Sequence, residues 1–172
     1  MAFEKISLNQ WILSNPCTVD KYNDIKLPAR STKNAAGYDF FMPYDIKLEP
    51  GEVYKIFTGI KADLSKICPI ETDDGGVRYL DIPAYLALYP RSSMGMKYGF
   101  QLLNTTGIID SDYYDNESNE GHIIVACKVA KPVTLSKGDR FVQGIITPYY
   151  VMENDEDTTK VKRIGGMGST GE

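Results

Sequence analysis

The stretch "HIIVACKVAKPVTLSKGDRFVQGIITPYY", residues 122–150, decides the fold. Two runs rich in Ile, Val, Phe and Tyr, at 122–129 and 141–150, have the length and residue types of strands, and the turn "SKGDR" at 136–140 lies between them. Outward from this pair the same punctuation recurs. Short apolar or aromatic runs at 37–41, 52–58, 84–89 and 100–103 are bounded by Gly, Pro, Asn and Asp, and "ETDDGGVRY" at 71–79 carries the Asp-Gly signal of a hairpin. Only residues 3–13 offer a helix, and their apolar spacing fits that period poorly. Many short strands with few helical segments predict an all-β sandwich or barrel, jelly-roll-like at this size.

A chain of 172 residues fits one domain with a single core. At 42% hydrophobic and 24% charged residues it has the composition of a globular protein. The net charge of −4 argues against a polyanion as partner, because nucleic-acid binding rests on a strong positive field. A single small anion needs only a few local donors. Cys17, Cys68 and Cys127 are odd in number and lack C-x-x-C spacing, so they predict free thiols, neither a disulfide framework nor a zinc site. The first residues lack a basic lead followed by an apolar run, and no stretch reaches the roughly 18 apolar residues of a membrane span, so a cytoplasmic location without membrane binding is expected. The acidic "ENDEDTTK" from 153 reads as a solvated linker into the glycine-rich "RIGGMGSTGE". Such a tail is either a loose terminus or a loop that wraps phosphates through backbone N–H groups, although it lacks the G-K-[ST] of a Walker loop.

The chemistry-bearing residues concentrate between Leu88 and Gly121. Asp110 follows Gly107-Ile108-Ile109, so its carboxylate stands at the end of an apolar segment, placed to take a proton from water or simply to form a turn. Arg91, Ser92 and Ser93 follow a strand and supply a cation and hydroxyls suited to phosphate oxygens. Asn104 has the donor and acceptor needed to read a pyrimidine edge or to satisfy a strand end. Asp39 is of the ligand type Mg2+ prefers, or else an ordinary exposed strand residue. His122, without a second His or paired Cys, receives no catalytic role.

Taken in order, "AGYDFF", "PRSSMGMKYG", "NTTGIIDSDYYDNESNEGH", "GDRFVQGII" and "RIGGMGSTG" resemble the five motifs of the homotrimeric dUTPase family, dUTP diphosphatases, from about residue 25 to 171. The resemblance implies a jelly-roll-like β-barrel that forms a homotrimer with shared active sites. It also implies an N-terminal extension at 1–24, the barrel at 25–152 and a linker with glycine-rich arm at 153–172. The implied reaction is Mg2+-dependent hydrolysis of dUTP to dUMP and pyrophosphate. Carried over by motif, Asp110 activates the water, and Tyr113 packs on the deoxyribose. Asn104 with the backbone around Gly107 and Ile109 reads uracil, while Arg91, Ser92, Ser93 and Gln143 hold phosphates. Asp39 supports the metal through water, and Arg163, Met167, Gly168 and Ser169 close over the substrate.

Three departures stand out. Met167 occupies the place of a Phe that stacks on the base, the Arg of the last motif is displaced so that Lys162 competes with Arg163, and "YDNESNE" lengthens the hairpin after Tyr113. A dCTP deaminase would need a Glu on the strand "HIIVACKV", which has none. A regulatory protein-binding member of the family would use loops such as 66–79 or 115–120.

Overall fold

The computed structural model describes residues 2–73, 75–79 and 82–153. In chain order the elements are β1 (Phe3–Lys5), α1 (Leu8–Ser14), a 3-10 stretch (Pro16–Asp24), β2 (Tyr38–Phe41), β3 (Ile46–Leu48), β4 (Tyr54–Phe57), β5 (Ile60–Ala62), β6 (Pro69–Glu71), β7 (Val77–Tyr79), β8 (Ala84–Pro90), α2 (Ser92–Tyr98), β9 (Gln101–Leu102), β10 (Gly107–Ile109), β11 (Ile124–Lys128), β12 (Val133–Leu135) and β13 (Arg140–Pro148). Among the described residues all strand pairs are antiparallel, in a four-stranded sheet ordered β10-β8-β13-β2, a three-stranded sheet ordered β4-β11-β9, and three two-stranded ribbons. The fold is all-β and jelly-roll-like, as expected from the strand pattern.

Alternation along the strands builds one core. Leu86 and Leu88 of β8, Val125 and Cys127 of β11, and Phe40, Phe100 and Phe141 are buried in a single cluster. Residues 122–150 supply β11 and β13 as read from the sequence, with β12 added between them. The turn at 136–140 closes because Asp139 accepts from the Ser136 N–H at 2.8 Å and Gly138 adopts a φ of +89°. The expected hairpin at 71–79 joins β6 to β7.

The helical content differs from expectation. Residues 3–5 pair with β5 as a strand, and the helix starts only at Leu8, because Ser7 Oγ caps it by accepting from the Gln10 N–H. Phe3, Ile6 and Trp11 enter the core, so this N-terminal segment packs as part of the same unit. The helix α2 has no apolar period to announce it, since Met94 is its one buried residue. It ends at Gly99, whose φ of +60° lets its N–H return to the Gly95 carbonyl, while a Cβ there would meet Ala130 Cβ at 2.6 Å.

Candidate active site

Strands β9 and β10 follow one another through the turn at 103–106, but β9 pairs with β11 in one sheet and β10 with β8 in the other. The turn at 103–106 therefore crosses between sheets, and a cavity of about 370 Å³ opens beside it. Asn104, Gly107, Ile109 and Tyr113 all line this cavity, together with Leu88 and Leu102. Gly107 gives the close approach, because a Cβ at that position would stand 3.1 Å from Leu88 Cβ. Asn104 is exposed on the turn, with the backbone at Thr105 in the left-handed region. Asp110 follows the lining residue Ile109, is half-buried, and begins a 3-10 turn (Ser111–Tyr113) in which its carbonyl accepts from the Tyr113 N–H.

Tyr113 is 7% exposed, and its phenol oxygen is engaged behind the cavity wall. Its hydroxyl donates to the His122 carbonyl at 2.9 Å and accepts from Asn119 Nδ2 at 2.8 Å. His122 is fully buried and structural: its Nε2 accepts from the Gly59 N–H and its Nδ1 lies 3.2 Å from Ser14 Oγ. Burial pushes the imidazole down to about 4, with the Glu120 charge opposing.

The residues expected to hold phosphate gather elsewhere. Arg91 caps α2, and Arg91, Ser93, Lys97 and Arg140 line a second cavity of about 290 Å³. Ser92 is exposed beside them, while Gln143 on β13 stands opposite Asp39. Gly37 makes room for Gln143, since a Cβ there would lie 2.7 Å from Gln143 Oε1. Asp39 is not an exposed strand residue. At 5% exposure its two carboxylate oxygens accept from Arg91 Nε at 2.9 Å and Arg140 Nη1 at 3.0 Å. Around this cavity three cations, Arg91, Lys97 and Arg140, face two carboxylates, Asp39 and Asp139, leaving a net attraction for an anion.

In the sequence Arg140 belongs to the turn at 136–140 and to the fourth motif, with no role of its own. Its place directly before a long strand, within the fourth motif and three residues before Gln143, was the available signal. Lys162, Arg163, Met167, Gly168 and Ser169 lie outside the described residues. The described residues hold no cluster of three or more His, Cys, Asp or Glu. With Asp39 already shared by two guanidinium groups, this donor set suits a hard cation carried by phosphate oxygens and touched through water, not one held in a protein cage.

Comparison with known proteins agrees with both the fold and the motifs. The family model described as dUTPase matches residues 77–171. A deoxyuridine 5'-triphosphate nucleotidohydrolase of Lactococcus lactis is 38% identical over 157 residues, covering 89% of this chain and 94% of the relative. The crystal structure of dUTPase from Streptococcus mutans superposes with a TM-score of 0.62 at 32% identity, covering 89% of this chain and 99% of that one. A dUTPase of Staphylococcus bacteriophage 80alpha, from a group described as controlling transfer of virulence genes, shares the fold at a TM-score of 0.59 and 16% identity, covering 94% of this chain and 97% of that one. With a family model spanning more than half the chain and a relative matched almost end to end, the protein belongs to the dUTPase family.

Proposed function

We propose that this chain hydrolyses dUTP to dUMP and pyrophosphate through attack of water on the α-phosphorus. The observation that carries this reading is the cavity that unites Asn104, Gly107, Ile109 and Tyr113 immediately beside Asp110. Asn104 and the backbone of the turn offer a donor and acceptor pattern that fits uracil and leaves cytosine unpaired. Tyr113 forms the floor under the deoxyribose, where a ribose 2′-hydroxyl finds no room. Asp110 orients the water and accepts its proton.

Arg91, Ser92, Ser93 and Gln143 serve the phosphates. Asp39 grips Arg91 through Nε, which aims the guanidinium and leaves its terminal nitrogens for phosphate oxygens. Mg2+, when bound to the triphosphate, would supply charge neutralisation, with Asp39 supporting its water shell. Arg163, Met167, Gly168 and Ser169 complete the proposal as the segment that covers base and terminal phosphate.

The base and phosphate groups line two different cavities of one chain. This separation supports a homotrimer in which one subunit's nucleoside cavity meets another's phosphate grip. No helix among the described residues is long and apolar enough to cross a membrane, in keeping with a cytoplasmic enzyme. A protein partner is a second role favoured by the hairpin of β6 and β7, where Val77 and Tyr79 are exposed. The loop at 115–120 does not favour it, since Glu120 and Asp115 are bound back onto Ser7 and Lys61.

The test is turnover of dUTP, dCTP, UTP and dTTP with Mg2+, following pyrophosphate and nucleotide products, with Asp110→Asn as control. Pyrophosphate from dUTP alone, lost in the variant, is the expected result. A folded protein that leaves dUTP intact would overturn the assignment.

A further inference from the structure

The lengthened hairpin after Tyr113 is an ordered structure built on two asparagines. Asn116 Oδ1 accepts from the Ser118 N–H, the Ser118 hydroxyl and the Asn119 N–H, and its Nδ2 donates to the Tyr113 carbonyl and to Asn119 Oδ1, each at 2.8 Å. Asn119 Oδ1 also accepts from the Gly121 N–H at 3.1 Å. Two N–H groups thus point at the same atom of Asn119, which settles which end of the amide is oxygen. Its Nδ2 must then face the Tyr113 hydroxyl, which passes its own proton to the His122 carbonyl. The chain of donors runs Asn116, Asn119, Tyr113, His122, in one direction and largely out of water, where such bonds reinforce one another.

The loop is itself fastened from the far side. The Ser7 N–H and hydroxyl donate to the Glu120 carboxylate at 2.8 and 2.5 Å, Lys61 pairs with Asp115, and the Tyr114 hydroxyl donates to Glu4 at 2.8 Å. These contacts tie the loop to β1, β5 and the cap of α1. The N-terminal segment therefore anchors the loop that holds the rear of the nucleoside cavity.

We propose that Asn119 is a positioning residue for sugar selection, which it achieves by fixing the Tyr113 ring against the cavity through its phenol oxygen. The inference rests on the reading of Tyr113 as the surface that excludes a ribose 2′-hydroxyl. A ring whose hydroxyl is held from two sides, by His122 and by Asn119, cannot yield to an extra oxygen, whereas a ring left with the His122 bond alone can swing about it. Loss of one such bond corresponds to a change of about threefold to tenfold.

The experiment compares kcat/KM for dUTP, UTP and dTTP in the full chain and in two variants, Asn119→Ala and Asn119→Asp. Asp keeps an acceptor for Gly121 and Asn116 but turns an oxygen to Tyr113, whose single phenol proton can then serve Asp or the His122 carbonyl and not both, so one of the two hydroxyl bonds is lost while the loop keeps its acceptor. The expected result is a threefold to tenfold fall in the dUTP-to-UTP ratio, with the dUTP-to-dTTP ratio unchanged and circular dichroism as in the parent. Folded variants with the parental dUTP-to-UTP ratio overturn the inference, as does a uniform loss for all three substrates, which marks a structural role alone. If the parent hydrolyses dUTP but does not discriminate against UTP, the sugar-surface reading fails and the inference falls with it. A parent without dUTP turnover overturns both.

Discussion

The Gly59 N–H donates to His122 Nε2 at 2.9 Å inside the core, so the chain's only histidine is held with that nitrogen bare and its proton on Nδ1, toward Ser14. Protonation of Nε2 would break the bond and place a charge among Trp11 and Phe57. The folded imidazole titrates at about 4 against 6.5 when free. Between those values the unfolded chain binds a proton that the folded chain does not, so stability is complete above pH 6.5 and falls as the pH drops toward 4. The loss from this group is about 3 kcal/mol. Urea midpoints from pH 7.5 down to 4 should show it, and His122→Gln should flatten that part of the curve. An unchanged slope in the variant would count against this account.

Gly121→Ala should destabilise the protein by at least about 2 kcal/mol. Its φ is +78°, and an added Cβ would meet the Tyr113 carbonyl oxygen at 2.6 Å and Tyr114 Cα at 2.9 Å, both backbone atoms that cannot swing aside. Gly51 also has a positive φ, +89°, but nothing lies within 4 Å of its added Cβ. Gly51→Ala should therefore cost only the backbone strain, about 1 kcal/mol. Equal losses in the two variants, read from denaturant midpoints, would contradict the packing argument.

Asp39→Asn removes the charge that aims Arg91 and Arg140. The expected result is a fall of about tenfold to a hundredfold in kcat/KM for dUTP, the range for hydrogen bonds to charged groups. Affinity for deoxyuridine, which has no phosphate, should change little. A matching loss of deoxyuridine binding, followed by calorimetry, would show that the substitution disturbs the fold more broadly.

The proposed sharing of a site between subunits predicts complementation. Asp110→Asn removes the proposed water activator and Arg91→Ala a proposed phosphate grip, so each alone should lose about a hundredfold or more in turnover. Subunits mixed during refolding should regain activity well above either parent, because some sites then combine an intact nucleoside cavity with an intact phosphate grip. A mixture no better than the sum of its parents would place the whole site within one chain.

The strands were legible where the chain alternates or runs apolar between turn residues, as in β8, β11 and β13. The ribbons β1 with β5 and β3 with β12 escaped notice because three residues are too few for a period to show. Helix α2 was hidden for a related reason, as its position rests on the Gly99 turn and one buried Met94. That Asn104, Gly107, Ile109 and Tyr113 belong together was legible because they are close in sequence, and one cavity gathers them. The pairing of Asp39 with Arg91 and Arg140 was not, since it joins positions brought together only by the sheet order β8-β13-β2. The asparagine scaffold behind Tyr113 was seen only as an unusual insertion, because its meaning lies in which amide faces which hydroxyl.

Strands β9 and β10, joined by the turn at 103–106, go separate ways, one into each of the two main sheets. Leu88 and Leu102, which pack in the core between those sheets, are also walls of the cavity. Changes in the hydrophobic interior are thereby transmitted to the opening beside Asp110. A substitution at Leu88 or Leu102 therefore bears at once on the solidity of the interior and on the shape of the cavity wall.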